Sequence, residues 1–310
     1  MPFDGLRAEH FAAYTPDKWS SNVHNLTRMR AKDTLFALCG AATQSLAAAL
    51  KGLSRAASDD VPNIVNHKKV DAQWVYWFRD EQARKHLASF LEKTPLDGVK
   101  LFDIAPQDKH LTLAVVLSAP EVWVGLRVAP GAVVDRRNLA ALLGKSHKIE
   151  TFLALLAALP RGAGLGLGAD AVPAAALTAE MALAQSQLLD DAHPAWRLGQ
   201  GWPVADALAL GPALATEIAA AIAALAPIYR FVAWAPDNDQ IGANREILAQ
   251  KAEQQREVLG LHAGDRVRII AGVFSGKTGV VQEIDARAHV KVRVGTLSVV
   301  VPGSDIAAAR

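Results

Sequence analysis

Along the first 240 residues the spacing of apolar positions changes several times. Leu26, Met29, Leu35, Leu38, Leu46 and Leu50 recur at near-helical intervals with no proline between them, which predicts one helix from about Val23 to Leu53. The block Trp74-Val75-Tyr76-Trp77-Phe78 is aromatic and β-branched and predicts a strand, with Asp80 and Glu81 placed to cap a following helix through Leu87 and Phe90 to Leu91. Leu111 to Leu117 and Val122 to Val128, joined at Ala119-Pro120-Glu121, predict a hairpin with Val122, Val124, Leu126 and Val128 on one face. Leucine- and alanine-rich helices are expected over Asp135 to Leu143 and Lys148 to Leu159, and tightly packed helices over the alanine-rich run from Ala171 to Ala226. A break at Pro236-Asp237-Asn238-Asp239 places a boundary near residue 238, and an amphipathic helix over 242–259 then reads as a connector ended by Gly260.

From Gly264 the pattern shifts to a period of two. Val267 and Ile269 alternate with Arg266 and Arg268, and Gly272, Gly276 and Gly279 follow within eight residues, allowing turns where a Cβ would clash. Val281 and Ile284 resume the apolar face. Val290, Val292 and Val294 then alternate with Lys291 and Arg293, and Leu297 to Val301 runs into the breaker pair Pro302-Gly303. Four or five short strands in under fifty residues predict a small closed barrel.

The run from Gly264-Asp265 through Val267, Ile269, Gly272, Phe274, Gly276 and Gly279 to Val281 and Ile284 resembles the KOW motif shared by NusG-type transcription elongation factors and some large-subunit ribosomal proteins. The resemblance covers about the last fifty residues. It implies an SH3-like barrel that binds RNA or a protein partner and is not an enzyme. Gly264, Gly272, Gly276 and Gly279 would be structural, and Arg266, Arg268, Phe274, Lys277, Lys291 and Arg293 would form the binding surface. The chain departs from the NusG-type pattern at Val294-Gly295-Thr296, where that family has an aromatic residue.

Two phosphate-binding patterns are excluded by context. Gly276-Lys277-Thr278 resembles the end of a P-loop, but position 271 is alanine, and the threonine leads into a valine-rich strand rather than a helix N-terminus. In Gly162-Ala163-Gly164-Leu165-Gly166-Leu167-Gly168 the glycines occupy every second position, which predicts a strand or bend closely approached by another element rather than a dinucleotide fingerprint. No His-x-x-x-His pair or Gly-x-Ser-x-Gly elbow occurs, so no metal, cofactor or catalytic residue is assigned. The remaining polar candidates are His67 with Lys68, Lys69 and Asp71, and the pair Asp80 and Glu81, read as a solvated loop and a helix cap.

Composition adds bounds. The chain has 310 residues, 51% hydrophobic and 21% charged, enough for two folded domains. A net charge of +2 is too weak to mark the whole molecule for nucleic acid, although the C-terminal segment is richer in cations than in acids. The single cysteine, Cys39, is expected as a small core residue and favours a reducing compartment. The N-terminus lacks the pattern of a signal peptide, and Ala205 to Trp234 is interrupted by Asp206, Gly211-Pro212, Glu217 and Pro227, so a cytoplasmic protein with no membrane span is expected.

The expected organisation is an α+β body rich in helices over 1–238, a helical connector over 239–260, and an all-β SH3-like small barrel over 261–310. The expected partners are RNA, the ribosome or an RNA polymerase complex. Two other readings stay open: an enzyme or small-molecule-binding body that the barrel localises, and a purely protein-binding barrel.

Overall fold

The computed structural model describes residues 2–91, 105–168, 170–189, 193–249, 260–285 and 289–309. The chain divides into two compact units, Met1–Ile241 and Gly242–Arg310. The expected fold class holds as far as helices mixed with two antiparallel sheets; in the second unit the strands form an open order, with no pairing between its two end strands among the described residues.

The body is built on a seven-stranded antiparallel sheet. Its strands are β1 (Leu53–Ala57), β2 (Ala72–Arg79), β3 (Thr112–Ser118), β4 (Glu121–Val128), β5 (Gly164–Leu167), β6 (Asp170–Pro173) and β7 (Trp196–Pro203), in the order β1-β2-β3-β4-β7-β5-β6. The expected hairpin is β3–β4, and its pairing sets Val115 opposite Val124 and Leu113 opposite Leu126. One sheet face carries the main core. There Val75 and Trp77 of β2, Val122, Val124, Leu126 and Val128 of β4, and Trp196 and Leu198 of β7 pack with helices α2 (Asn25–Thr43), α5 (Val133–Leu143), α6 (Ser146–Leu156) and α9 (Leu214–Val232). Burying a large apolar side chain contributes about 1.5–3 kcal/mol, and Leu35, Leu38, Phe152, Ile218 and Ile222 are all at 0% exposure. Cys39 lies in this core on α2, where burial pushes its thiol pKa up.

Three expectations are corrected. The first predicted helix stops at Thr43, not Leu53; residues 44–52 are mostly turns. Leu46 and Leu50 kept the helical spacing because the turns stay close to helical, with Leu50 N–H donating to the Leu46 carbonyl, and both side chains pack on the same core. The alanine-rich run is not all helix. It holds α7 (Ala179–Gln187), α8 (Val204–Leu210) and α9, but also β6 and β7, and β7 sits between β4 and β5 inside the sheet. Finally, Val204–Val232 does have the length and composition of a membrane-crossing helix, with a mean hydropathy of 1.8 in its most apolar window. In this fold it is divided at Gly211, whose φ is 51°, and α9 buries Leu214, Ile218, Ile222, Leu225 and Val232 in the body core.

The second sheet face is unlike the first. Strand register aligns Gly164, Gly199 and Gly125 on three adjacent strands. The Trp123 ring lies over this floor: a Cβ on Gly125 would come within 2.2 Å of it and one on Gly199 within 2.6 Å. Farther along, Tyr76, Phe78, Ala114, Val116 and Trp123 form a separate buried cluster with Trp74 packed against it. The expected strand over Gly162 to Gly168 is β5, and at Gly166 a Cβ would overlap the Asp170 carbonyl oxygen at 1.7 Å, the close approach that its glycines predicted.

The second unit contains β8 (Arg266–Ile269), β9 (Thr278–Ile284), β10 (His289–Val294), β11 (Leu297–Pro302) and β12 (Ile306–Ala308), in the order β11-β10-β9-β8-β12. Val267, Ile269, Val281, Val290, Val292, Val301 and Ile306 form its core. Val281 and Ile284 share the inner side despite an odd spacing because the register shifts between Lys291 and Val292, an irregularity that takes up Gln282. Of the expected connector over 239–260, residues 243–249 are helical, 239–242 and 260 are not, and 250–259 lie outside the described residues.

Candidate functional site

In the C-terminal unit the alternation that buries the valines turns the basic residues outward. Pairing sets Arg266 opposite Val280, Val280 opposite Arg293, and Arg293 opposite Ser298, so one row crosses four strands with an arginine on each side of Val280. Arg268 stands opposite Thr278, and Lys291 lies between Glu283 and Val300. Arg266, Arg268, Lys277, Lys291 and Arg293 are all exposed. Among the described residues none of the five takes part in an ion pair or a side-chain hydrogen bond. Ser298 Oγ donates to Gln282 Oε1 at 2.7 Å, and the Asp265 and Asp285 carboxylates accept the backbone N–H groups of His262 and His289, so these neighbours are engaged elsewhere.

The glycines expected to be structural divide into two kinds. Gly264, Gly272 and Gly276 have φ of 103°, 81° and 84°, the left-handed region that side chains with a Cβ avoid. Gly272 and Gly276 shape a loop closed by Gly276 N–H donating to the Ile269 carbonyl at 2.7 Å and Ser275 Oγ donating to the Ile270 carbonyl at 3.1 Å. Gly279 is different: its φ lies outside that region, and what constrains it is space. A Cβ there would lie 2.4 Å from Val292 Cγ1 and 2.6 Å from the Arg293 carbonyl oxygen. Phe274 is half-buried and packs against the small core, while its neighbour Val273 is 97% exposed.

The body's polar candidates separate. Asp80 Oδ1 accepts the Ala83 N–H at 2.9 Å at the start of α3 (Glu81–Leu91), and Glu81 pairs with Lys85 at 2.7 Å on the surface, so this acidic pair caps a helix as expected. His67, Lys69 and Asp71 instead line a cavity of about 790 Å³ on the second sheet face, together with Trp74, Tyr76 and Arg127. Sequence reading passed over these last three as a site. The usable signal was Trp74 and Tyr76, which face away from the core side that takes Val75 and Trp77. Arg127 lies over the Trp74 ring at 5.3 Å from its centroid and pairs with Asp108 at 2.7 Å. Among the described residues no group of three or more potential metal ligands comes together. No protein-family model matches the chain, and no curated protein sequence matches it.

Proposed function

We propose that the protein is a non-enzymatic RNA-binding protein of the cytoplasm whose C-terminal unit is a KOW-like, SH3-like small barrel that associates with RNA on the ribosome or in a transcription complex. The observation that carries this reading is the exposed row of Arg266 and Arg293 across Val280, flanked by Arg268 and Lys291, with no carboxylate partner for any of the four among the described residues. Unpaired cations on a sheet face meet phosphate without breaking an existing ion pair, and each such encounter releases counterions. The sheet order, the left-handed loop glycines and the valine core support the KOW-like assignment.

Titrating the full-length chain with a short single-stranded RNA across a salt series tests the proposal. Replacing Arg266, Arg268, Lys291 and Arg293 by glutamine should weaken binding and flatten the logarithmic salt slope by about 0.7 for each phosphate no longer neutralised. Equal affinity and slope for the parent and the quadruple variant would overturn it. A protein-binding reading is favoured by a separate observation: Val273, Leu297 and Val300 are apolar and 97%, 60% and 67% exposed. Under that reading Val273→Asp abolishes association with a partner protein, while the glutamine substitutions mainly slow it.

A further inference from the structure

The cavity on the body's second sheet face belongs to the first unit and differs in chemistry from the basic C-terminal sheet. Its floor is aromatic, formed by Trp74 and Tyr76 on β2, with the planar guanidinium of Arg127 from β4 against Trp74. Its volume, about 790 Å³, lies within the range of sites that enclose a small molecule. Tyr76 is only 2% exposed, yet its hydroxyl makes no hydrogen bond among the described residues. Burial, followed by the nearby carboxylates of Asp108 and Asp59, pushes its pKa up to about 12, so the phenol stays a neutral donor. Arg127 engages Asp108 and the Gln107 carbonyl through Nη1 alone, at 2.7 and 3.1 Å, leaving Nε and Nη2 unused among the described residues.

The rim is built rather than loose. His67 and Lys68 hold φ of 54° and 59°, a conformation that non-glycine residues rarely adopt and that persists only where surroundings enforce it. Here Asn63 and Asn66 exchange backbone-to-side-chain hydrogen bonds of 2.8 and 3.0 Å, and Lys68 N–H donates to the Asn63 carbonyl at 2.6 Å. This loop presents Lys69 and Asp71 to the cavity, and Asp59 lies on the same rim. With Asp108 neutralised by Arg127, the remaining carboxylates of the lining, Asp59 and Asp71, outnumber its one remaining fixed cation, Lys69. That balance opposes a phosphate and suits a neutral ligand carrying hydroxyls.

We propose that this cavity binds a nucleoside, its base packed against the half-buried Trp74 with its edge turned to the Tyr76 hydroxyl, and its ribose diol held by the rim carboxylates Asp59 and Asp71. A base fits because its flat π-surface packs on an indole ring, and its ring nitrogens and carbonyls accept from the Tyr76 hydroxyl and the free Arg127 donors. A vicinal diol donates two hydrogen bonds to a carboxylate acceptor. Isothermal titration of the full-length chain with adenosine, guanosine, cytidine and uridine, and with their 5′-monophosphates, tests this. At least one nucleoside should bind with a sub-millimolar Kd, with its 2′,3′-dideoxy analogue weaker and its monophosphate no tighter. Tyr76→Phe, which removes one hydroxyl, should weaken it about three- to tenfold with an unchanged near-ultraviolet spectrum, and Trp74→Ala by about tenfold or more. The proposal is overturned if no nucleoside binds, if Tyr76→Phe leaves the affinity unchanged, or if the monophosphate binds tenfold tighter, which would make the site one for phosphate.

Discussion

Arg28, Arg79 and Arg136 in the body are between 0% and 5% exposed, and each is held by the protein itself, whereas Arg266, Arg268 and Arg293 in the C-terminal unit stand in solvent with no partner among the described residues. Arg136 donates to the carbonyls of Val128, His193 and Pro194, and Arg28 to those of Lys18 and Ser21. A third group in the body, Arg84, Arg127 and Arg197, lies over Phe78, Trp74 and Trp123. These six guanidinium groups of the body close loops or cover aromatic rings, and the three named in the small sheet stay available. A count of basic residues does not distinguish these uses; the partners of each residue do.

The comparison is tested most severely at Asp135. Its carboxylate takes the Arg79 guanidinium in a buried ion pair, and accepts the Leu111 and Trp234 N–H groups at 2.7 and 3.0 Å. Arg79 Nε and Nη1 have no other partner among the described residues, so Asp135→Asn strands a buried charge. The expected loss is about 3–5 kcal/mol, a large share of a typical domain's stability. All seven tryptophans lie between positions 19 and 234, so tryptophan fluorescence during denaturant unfolding reads the body alone. A loss under about 1 kcal/mol would mean the pair does not hold the body together.

The same network gives a smaller, pH-dependent effect. His110 is buried against Phe78, with ring centroids 5.8 Å apart, and burial, reinforced by the Arg79 charge, lowers its pKa to about 4. The folded state thus binds this proton less readily than the unfolded state, whose imidazole titrates near 6.5. The resulting stability is present above about pH 6.5 and is lost as pH falls towards 4, by up to about 3 kcal/mol. His110→Gln should remove that part of the slope, read as the difference between the two unfolding curves over this pH window; parallel curves would refute it.

What the sequence made legible follows from where side-chain alternation dominates. Val267, Ile269, Val290 and Val292 are flanked by charges, so strand period and burial coincide and the inward and outward faces could be read directly. In β7, Trp196, Leu198 and Trp202 also alternate, but glycines stand between Leu198 and Trp202 and alanine-rich helices on both sides, so the strand's pattern merges with a helical run. β1, Leu53–Ala57, has little strand propensity and forms by pairing with β2. The cavity is not legible in the sequence because its residues come from β1, β2, β4, the loop over 58–71 and the segment over 105–108, and only the fold brings them together. The row of glycines on the second sheet face has the same origin: three separate segments each contribute one residue.

Glycine sharpens the contrast on a second axis. In the small unit Gly279 faces a core of few residues, and Val292 Cγ1 occupies the space a Cβ would need. Gly279→Val should destabilise that unit by about 1–3 kcal/mol through overpacking, seen as earlier loss of amide dispersion for β8 to β10, with the tryptophan transition of the body unmoved. Unchanged stability of the small unit would show that its core has room to spare.

The smallest effect is expected where the arginines are free. Arg266 and Arg293 are separated by one strand, about 10 Å at ordinary strand spacing. That is close to the distance over which 0.1 M salt screens exposed charges, so their mutual repulsion is weak in physiological buffer and grows as salt is removed. Replacing Arg266, Arg268, Lys291 and Arg293 by glutamine should therefore leave the small unit's stability within about 0.5 kcal/mol of the parent, and at low ionic strength raise it slightly. The parent should gain the same increment from added salt, and the variant should gain less. Hydrogen exchange of the β9 and β10 amides, measured on both proteins at low and moderate salt, reads these differences. A clear loss of protection in the variant at every salt concentration would place these side chains among the groups that hold the sheet together, and the contrast with the buried arginines of the body would no longer stand.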